Sequence, residues 1–182
     1  MVAASSTQLY TLGRGILYIR EWVGTTPPAG AWKDLGNCPD FNVEVTKETL
    51  DHYSSRTGVR SKDKTTVLET GYNLNFVLDE IALYNLKIFL RGTLTGGNII
   101  RANTAVSKEF SVKFESDNAE GEDQTWEFWR AMLSPASAFN LISNEWSTLE
   151  FNGEGLSDTT NHSTTPFFNV TYGVTTTTTT TT

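Results

Sequence analysis

The stretch Phe41–Gly92, FNVEVTKETLDHYSSRTGVRSKDKTTVLETGYNLNFVLDEIALYNLKIFLRG, decides the fold. Its first residues alternate, with Phe41, Val43 and Val45 on one side and Asn42, Glu44, Thr46 and Glu48 on the other. That period of two marks a half-buried strand. A second alternating run, about Thr65 to Leu78, places Leu68, Tyr72, Leu74, Phe76 and Leu78 on one side. Val67, Glu69, Gly71, Asn73, Asn75 and Val77 take the other. Between the runs, Leu50 to Lys64 is too polar for a core and too long for a tight turn, so it reads as a long loop, functional or disordered. After the second strand a helix is expected. Asp79 is placed to cap it, Glu80 suits the positive end of its dipole, and Leu78 and Leu83 suit a hydrophobic staple. Leu83, Leu86 and Leu90 recur at helical spacing with Tyr84 and Ile88 beside them. Arg91 falls in the last turn, and Gly92 is expected to supply a left-handed stop.

Outward from this stretch the chain reads as β. Gly13-Arg14-Gly15 leads into a strand at Ile16–Ile19, and a Gly-x-Gly that opens a strand offers no helix N-terminus to a phosphate. Gly24 to Gly30, with two prolines, is a loop, and Trp32 to Pro39 is a turn-rich approach to the hairpin. Trp22 and Trp32 read as core or interface anchors. Thr93 to Ala105 is a loop or a weakly paired edge. Lys108 to Glu115 alternates, with Phe110, Val112 and Phe114 opposite Glu109, Ser111, Lys113 and Glu115. Ser116 to Asp123 is an acidic turn. Thr125 to Leu133 sets Trp126 and Phe128 opposite Trp129, Ala131 and Leu133, so both of its faces are apolar. Two more strands are expected at Trp146–Phe151 and Phe167–Tyr172.

About seven strands and one helix predict a mainly β fold of two packed antiparallel sheets, sandwich- or barrel-like. One flanking helix and a long projecting hairpin complete it. The 182 residues suit a single domain over 10–174. Residues 1–9 read as a flexible arm and 175–182 as a threonine-rich tail. The formal net charge of −7 argues against a generic basic nucleic-acid surface. No run approaches a membrane span, and the N-terminus lacks the pattern of a cleaved signal.

Catalytic chemistry finds no constellation here, so no enzyme and no cofactor is expected. The lone Cys38 allows neither an internal disulfide nor a cysteine metal cluster and reads as a small buried or half-buried hydrophobe. His52 and His162 fall in polar segments and read as solvated loop residues. Asp117–Glu122 departs from a calcium loop, because its glycine comes one position early and Phe128 stands where the twelfth-position acid belongs. Asn161-His162-Ser163 and Asn169-Val170-Thr171 match a glycosylation sequon but read as chance matches.

The order of several short motifs resembles the major tail tube proteins of long-tailed bacteriophages. They are Leu12-Gly13-Arg14-Gly15, Leu35-Gly36-Asn37, Phe41-x-Val43 and Glu48-x-x-x-His52-x-Ser54-Ser55-x-x-Gly58 with Asp63-Lys64. Leu74-x-Phe76-x-Leu78-Asp79-Glu80, Asn85-Leu86 and Gly92 follow. The likeness covers residues 10–92 well and the remainder only by strand pattern. The acidic turn and the threonine tail have no counterpart in the family pattern. The resemblance implies a structural virion protein that forms hexameric rings, stacked into a hollow tail tube with other phage tail proteins. It implies assembly in the host cytoplasm, passage of genomic DNA through the lumen during ejection, and no catalysis. The hairpin would contribute strands around the lumen, and its loop would reach the next ring.

Two residue sets follow as candidates. The polar side of the hairpin, Asn42, Glu44, Glu48, Glu69, Asn73 and Asn75, is a candidate lumen lining, since acids and amides engage phosphate weakly. An ordinary solvated sheet face is the alternative. Arg56, Arg60, Lys62 and Lys64 make the 50–64 segment net basic, against Asp51 and Asp63. Glu115, Asp117, Glu120, Glu122, Asp123 and Glu127 make the 115–127 turn acidic. These are candidates for a contact between rings or neighbouring subunits, or else two independent solvated loops. Other readings of the whole chain are a tail terminator, contractile inner tube or secretion-system tube, and, from another class, a carbohydrate-type β-sandwich module that stacks ligand on its tryptophans.

Overall fold

A computed structural model describes residues 10–173 apart from 25, 57 and 106. The 1–9 arm and the 175–182 tail lie outside the described residues. In chain order the elements are β1 (Gly15–Glu21), β2 (Lys33–Asp34), β3 (Asp40–Ser54), β4 (Ser61–Leu78), α1 (Leu83–Phe89), β5 (Thr93–Thr95), β6 (Ile99–Arg101), β7 (Glu109–Ser116), β8 (Gln124–Pro135), β9 (Leu149–Gly155) and β10 (Phe168–Tyr172). Over the described residues the chain is mainly β, with one helix and two antiparallel sheets. The main sheet runs β2-β1-β7-β8-β9-β4-β3 with β10 also on β8, and β5–β6 form a small ribbon. β2, β5 and β6 are short additions to the seven strands expected. The β9 strand starts at Leu149, so Trp146 stands outside it.

The main sheet folds over so that β3 and β4 face β7 and β8 across the core. Phe41 on β3 lies 5.5 Å from Phe114 on β7, and Tyr72 on β4 lies 5.3 Å from Phe128 on β8. Ile19, Leu74, Leu78, Val112, Phe128 and Leu149 are wholly buried between these layers. Each contributes roughly 1.5–3 kcal/mol of apolar burial. β3 hydrogen-bonds only on its β4 side, so the sheet does not close into a barrel.

Bulges correct two face assignments. Ala131 pairs with Phe110 and Phe128 with Val112, leaving Trp129 and Arg130 both opposite Ser111. The extra residue switches the alternation, so Ala131 and Leu133 share the core side with Phe128 instead of opposing it. The Ser111 hydroxyl donates 2.6 Å to the Trp129 carbonyl and accepts 3.0 Å from the buried Trp22 indole, which satisfies the distorted ladder. At the same point β8 exchanges neighbours, with β10 along Gln124–Phe128 and β9 along Ala131–Pro135. In β4, Glu69 pairs with Glu48 but Val67 with Thr49, so Leu68 is the extra residue. Beyond it Val67 lies on the Tyr72 side of the hairpin, opposite to its expected side.

The helix is shorter than its sequence pattern and uses a different face. It starts after Ala82, with no side-chain cap. Asp79 instead accepts 2.7 Å from the Asn37 amide. Leu83 is exposed, so no staple forms, and the buried residues are Asn85, Ile88 and Phe89. Asn85 sets this rotation by donating 2.8 Å to the Leu35 carbonyl and 3.1 Å to the Glu80 carbonyl. Arg91, not Gly92, has the positive φ, at 46°. Gly92 is needed for close approach, since a Cβ there would lie 2.6 Å from Ile100 and 2.8 Å from the Arg101 carbonyl.

Candidate functional site

The hairpin carries the candidate lining and the basic half of the candidate contact, and most of the expected 50–64 loop is strand. β3 and β4 stay paired to Ser54↔Ser61, leaving only 55–60 as the turn. These polar strands hold together laterally instead of on a core. His52 Nδ1 and Asp63 Oδ1 lie 2.6 Å apart, Lys62 meets Asp51 at 2.7 Å, and Thr65 donates to Asp51 at 2.8 Å. The Arg60 guanidinium sits 4.6 Å over the Tyr53 ring. Every residue from Ser61 to Thr70 is exposed. From Val43 to Ser54 the strand extends roughly 36 Å at the usual rise. β9 pairs with β4 only over Asn73–Leu78, so the projecting part has two open edges.

The register places all six candidate lining residues on one side: Asn42 opposite Asn75, Glu44 opposite Asn73, and Glu48 opposite Glu69. It also adds residues that the sequence reading passed over. Asn75 pairs onward with Asn152 and then Ser134, Asn73 with Glu154 and then Met132, and Val77 with Glu150. The result is one outward face over β3, β4, β9 and β8, holding Glu44, Glu48, Glu69, Glu150 and Glu154. None of the paired residues in these rows is Lys or Arg. The signal was available in Leu149-Glu-Phe-Asn-Gly-Glu-Gly, where Glu150, Asn152 and Glu154 alternate with buried Leu149 and Phe151. Gly155 fits the inward side because a Cβ there would come within 2.3 Å of the Tyr72 ring. Carboxylates directly opposite one another, as at Glu48 and Glu69, destabilise a strand pair. Stability of the lone subunit therefore does not account for this face.

The two charge clusters do not meet within the subunit. The acidic turn sits by the base of the hairpin, where Asn118 and Gln124 line the same groove as Cys38, Phe41 and Val43. The groove has a volume of about 490 Å³. Internal bonds occupy part of each cluster. Asp123 accepts 2.9 Å from the Asn118 amide, and Glu115 is paired with Lys113 at 2.6 Å. Asp117, Glu120 and Glu122 remain exposed, as do Arg56, Arg60 and Lys64 at the far end. Glu127 lies on β8 opposite Lys113.

The remaining candidates are held by the fold. Cys38 is half-buried and donates 3.2 Å to the Asp40 carbonyl, and burial pushes its thiol up to about 11. His52 is a strand residue, and His162 stacks on Trp129 with ring centres 3.8 Å apart and Asp158 3.8 Å from Nε2. His52 is thus solvated as expected but on a strand, and His162 lies in a loop as expected but is covered by Trp129. Among the described residues, no group of three His, Cys, Asp or Glu is placed to hold a metal ion. No described helix is long and apolar enough to cross a membrane.

Comparison with known proteins gives a family but no activity. The model of the family "Protein of unknown function UCP028589" matches residues 10–98 and 93–171, so the chain belongs to that family. No curated protein matches the sequence. Among solved structures, the chain is similar to one from the cryo-EM structure of an extracellular contractile injection system, the PVC sheath-tube complex in its extended state. The identity is 13%, the TM-score is 0.37, and the match covers 87% of this chain and 88% of that one.

Proposed function

We propose that this member of a family of unknown function is a non-catalytic tube subunit, which assembles into hexameric rings stacked as the tail tube of a bacteriophage virion. DNA passes through the lumen, and other tail proteins meet the tube at its ends. The observation that carries this reading is the outward face of β3, β4, β9 and β8, rich in acids and amides with no Lys or Arg in its paired rows, running into a hairpin with two open edges. Open edges invite pairing with another chain, and closing a ring removes them. A wall of carboxylates repels phosphate over roughly 8 Å at physiological salt, enough to keep DNA from adhering without barring its passage. The exposed basic tip and the exposed acidic turn, set well apart on the molecule, suit a head-to-tail contact between stacked rings.

A carbohydrate-type module needs a platform of exposed aromatic rings. Trp22 is buried, Trp32 lies under the Arg20 guanidinium, Trp126 stacks near Phe128 and Phe168, and Trp129 is covered by His162. Trp146 alone stands free of the fold, which favours the assembly reading. Negative-stain electron microscopy over a concentration series tests it, with hollow tubes or stacked rings expected. Discrete monomers at every concentration, together with binding of an oligosaccharide, would overturn it. Reversing Glu44 and Glu154 to Lys should leave tubes intact but make them retain DNA in a salt-dependent way.

A further inference from the structure

The 136–148 segment between β8 and β9 presents Leu141, Ile142 and Trp146 to solvent at 86%, 97% and 96% exposure. Single exposed apolar residues are ordinary on a protein surface, but three within six residues are not. The segment is tied to the fold at several points. The Ala136 amide donates 2.8 Å to the Glu150 carbonyl, and Phe139 meets Phe89 of α1 edge-on at 6.1 Å. Ser147 donates 3.3 Å to the Asn140 carbonyl, and the Glu145 amide 3.0 Å to the Ser143 hydroxyl. These bonds hold the apolar side chains outward on a supported loop.

A second uncovered apolar surface lies on the hairpin. Val45 pairs with core-facing Tyr72 and Val67 with Thr49, so both share the side that packs on β8 nearer the base. That layer stops short, leaving Val45 and Val67 exposed, with bulged Leu68 beside them. The two surfaces cannot meet in one subunit. The loop adjoins Leu149, which pairs with Leu78, whereas Val67 lies eleven residues further along β4, roughly 36 Å at the strand rise. Two unlike patches set apart on one chain generate a head-to-tail contact between copies. Their charges also match. Glu145 is the single charged residue in 136–148, while Lys47 stands two residues from Val45 on the same side. Neither has an ion-pair partner among the described residues. A buried tryptophan brings roughly 150–250 Å² of contact, a substantial part of the roughly 800 Å² per partner of a stable interface.

We propose that the 136–148 loop of one copy packs on the inward side of the hairpin of the next, with Leu141, Ile142 and Trp146 spread over Val45 and Val67 and Glu145 beside Lys47. This rests on the self-assembly reading and names the contact that drives it. In the full-length protein, Trp146→Lys should raise the concentration for half-assembly about thirtyfold, as expected for a hot-spot tryptophan. Its thermal midpoint as a monomer should not move, because the side chain is free of the fold. Glu145→Lys and Lys47→Glu should each weaken assembly, and together restore it. A wild-type protein that assembles alongside a Trp146→Lys variant that assembles equally well would overturn this contact and leave the tube reading standing. A wild-type protein that stays monomeric by sedimentation at all concentrations would overturn both. Assembly lost in both single charge variants and not restored in the double variant would overturn the Glu145–Lys47 placement.

Discussion

The two halves of the hairpin are made of the same two strands and have opposite fates. In the base half, Asp40–Glu44 with Tyr72–Leu78, each strand shows its inward residues to a second layer, and Tyr72, Leu74, Phe76 and Leu78 are buried. In the distal half, beyond the Leu68 bulge, the pairing continues but no layer faces it. There cross-strand ion pairs and hydroxyl bonds replace the core. Backbone pairing together with side-chain links between the strands thus extends the hairpin beyond the core, which is confined to the base half. The distal half keeps its apolar and charged groups for another chain.

The largest effect should come where the base half meets the opposite layer. Phe128→Ala removes the ring against Tyr72 and should cost about 3–5 kcal/mol in denaturant unfolding. Leu50→Ala in the distal half should stay within about 0.5 kcal/mol. Equal losses at the two positions would break the comparison. Next, Asn85→Ala leaves the Leu35 and Glu80 carbonyls without their donor at the junction of α1 with the base half. A loss of about 1–3 kcal/mol is expected by the same measurement.

A smaller effect depends on pH. Burial alone would raise the Glu21 carboxyl, but hydrogen bonds from Lys108 and Lys87 outweigh it and hold it below its ordinary 4.5. A carboxyl lowered on folding adds stability that is complete above that ordinary value and is lost as pH falls through the folded one. Stability of the wild type against unfolding should therefore fall below pH 4.5 more steeply than that of Glu21→Gln. Parallel acid limbs in the two proteins would count against this ion-pair site. The smallest effect is expected at the hairpin tip. Lys62→Ala opens the exposed pair with Asp51 and should leave the melting midpoint of the monomer unmoved. A clear drop in that midpoint would show that the distal half does stabilise the subunit.

Local patterning carried much of this reading. Strict alternation in Phe41–Glu48 and Tyr72–Leu78 specifies which side is buried, because a strand sends successive side chains to opposite faces. The six residues of the candidate lining followed from that rule and share one face. Glu150, Asn152 and Glu154 obey it too, but their place beside β4 depends on partners more than seventy residues away in the chain. Local sequence carries no record of that pairing. The 50–64 segment looked like a loop because its polarity cannot build a core, whereas its strands are held by lateral pairs that no periodicity reveals.

Alternation and charge along the chain are enough to specify a mainly β chain with one helix, a hairpin with an acidic and amide side, and two segregated charge clusters. These depend on alternation and composition, which are properties of near neighbours. Tertiary structure alone decided the order of the strands, the bulges at Leu68 and Trp129–Arg130, and the face on which α1 rests. It also decided which apolar residues stay uncovered. A bulge reverses every side chain beyond it, and the buried Asn85 turns the helix to reach a carbonyl fifty residues earlier. Such choices are settled by packing and hydrogen bonding between distant parts of the chain.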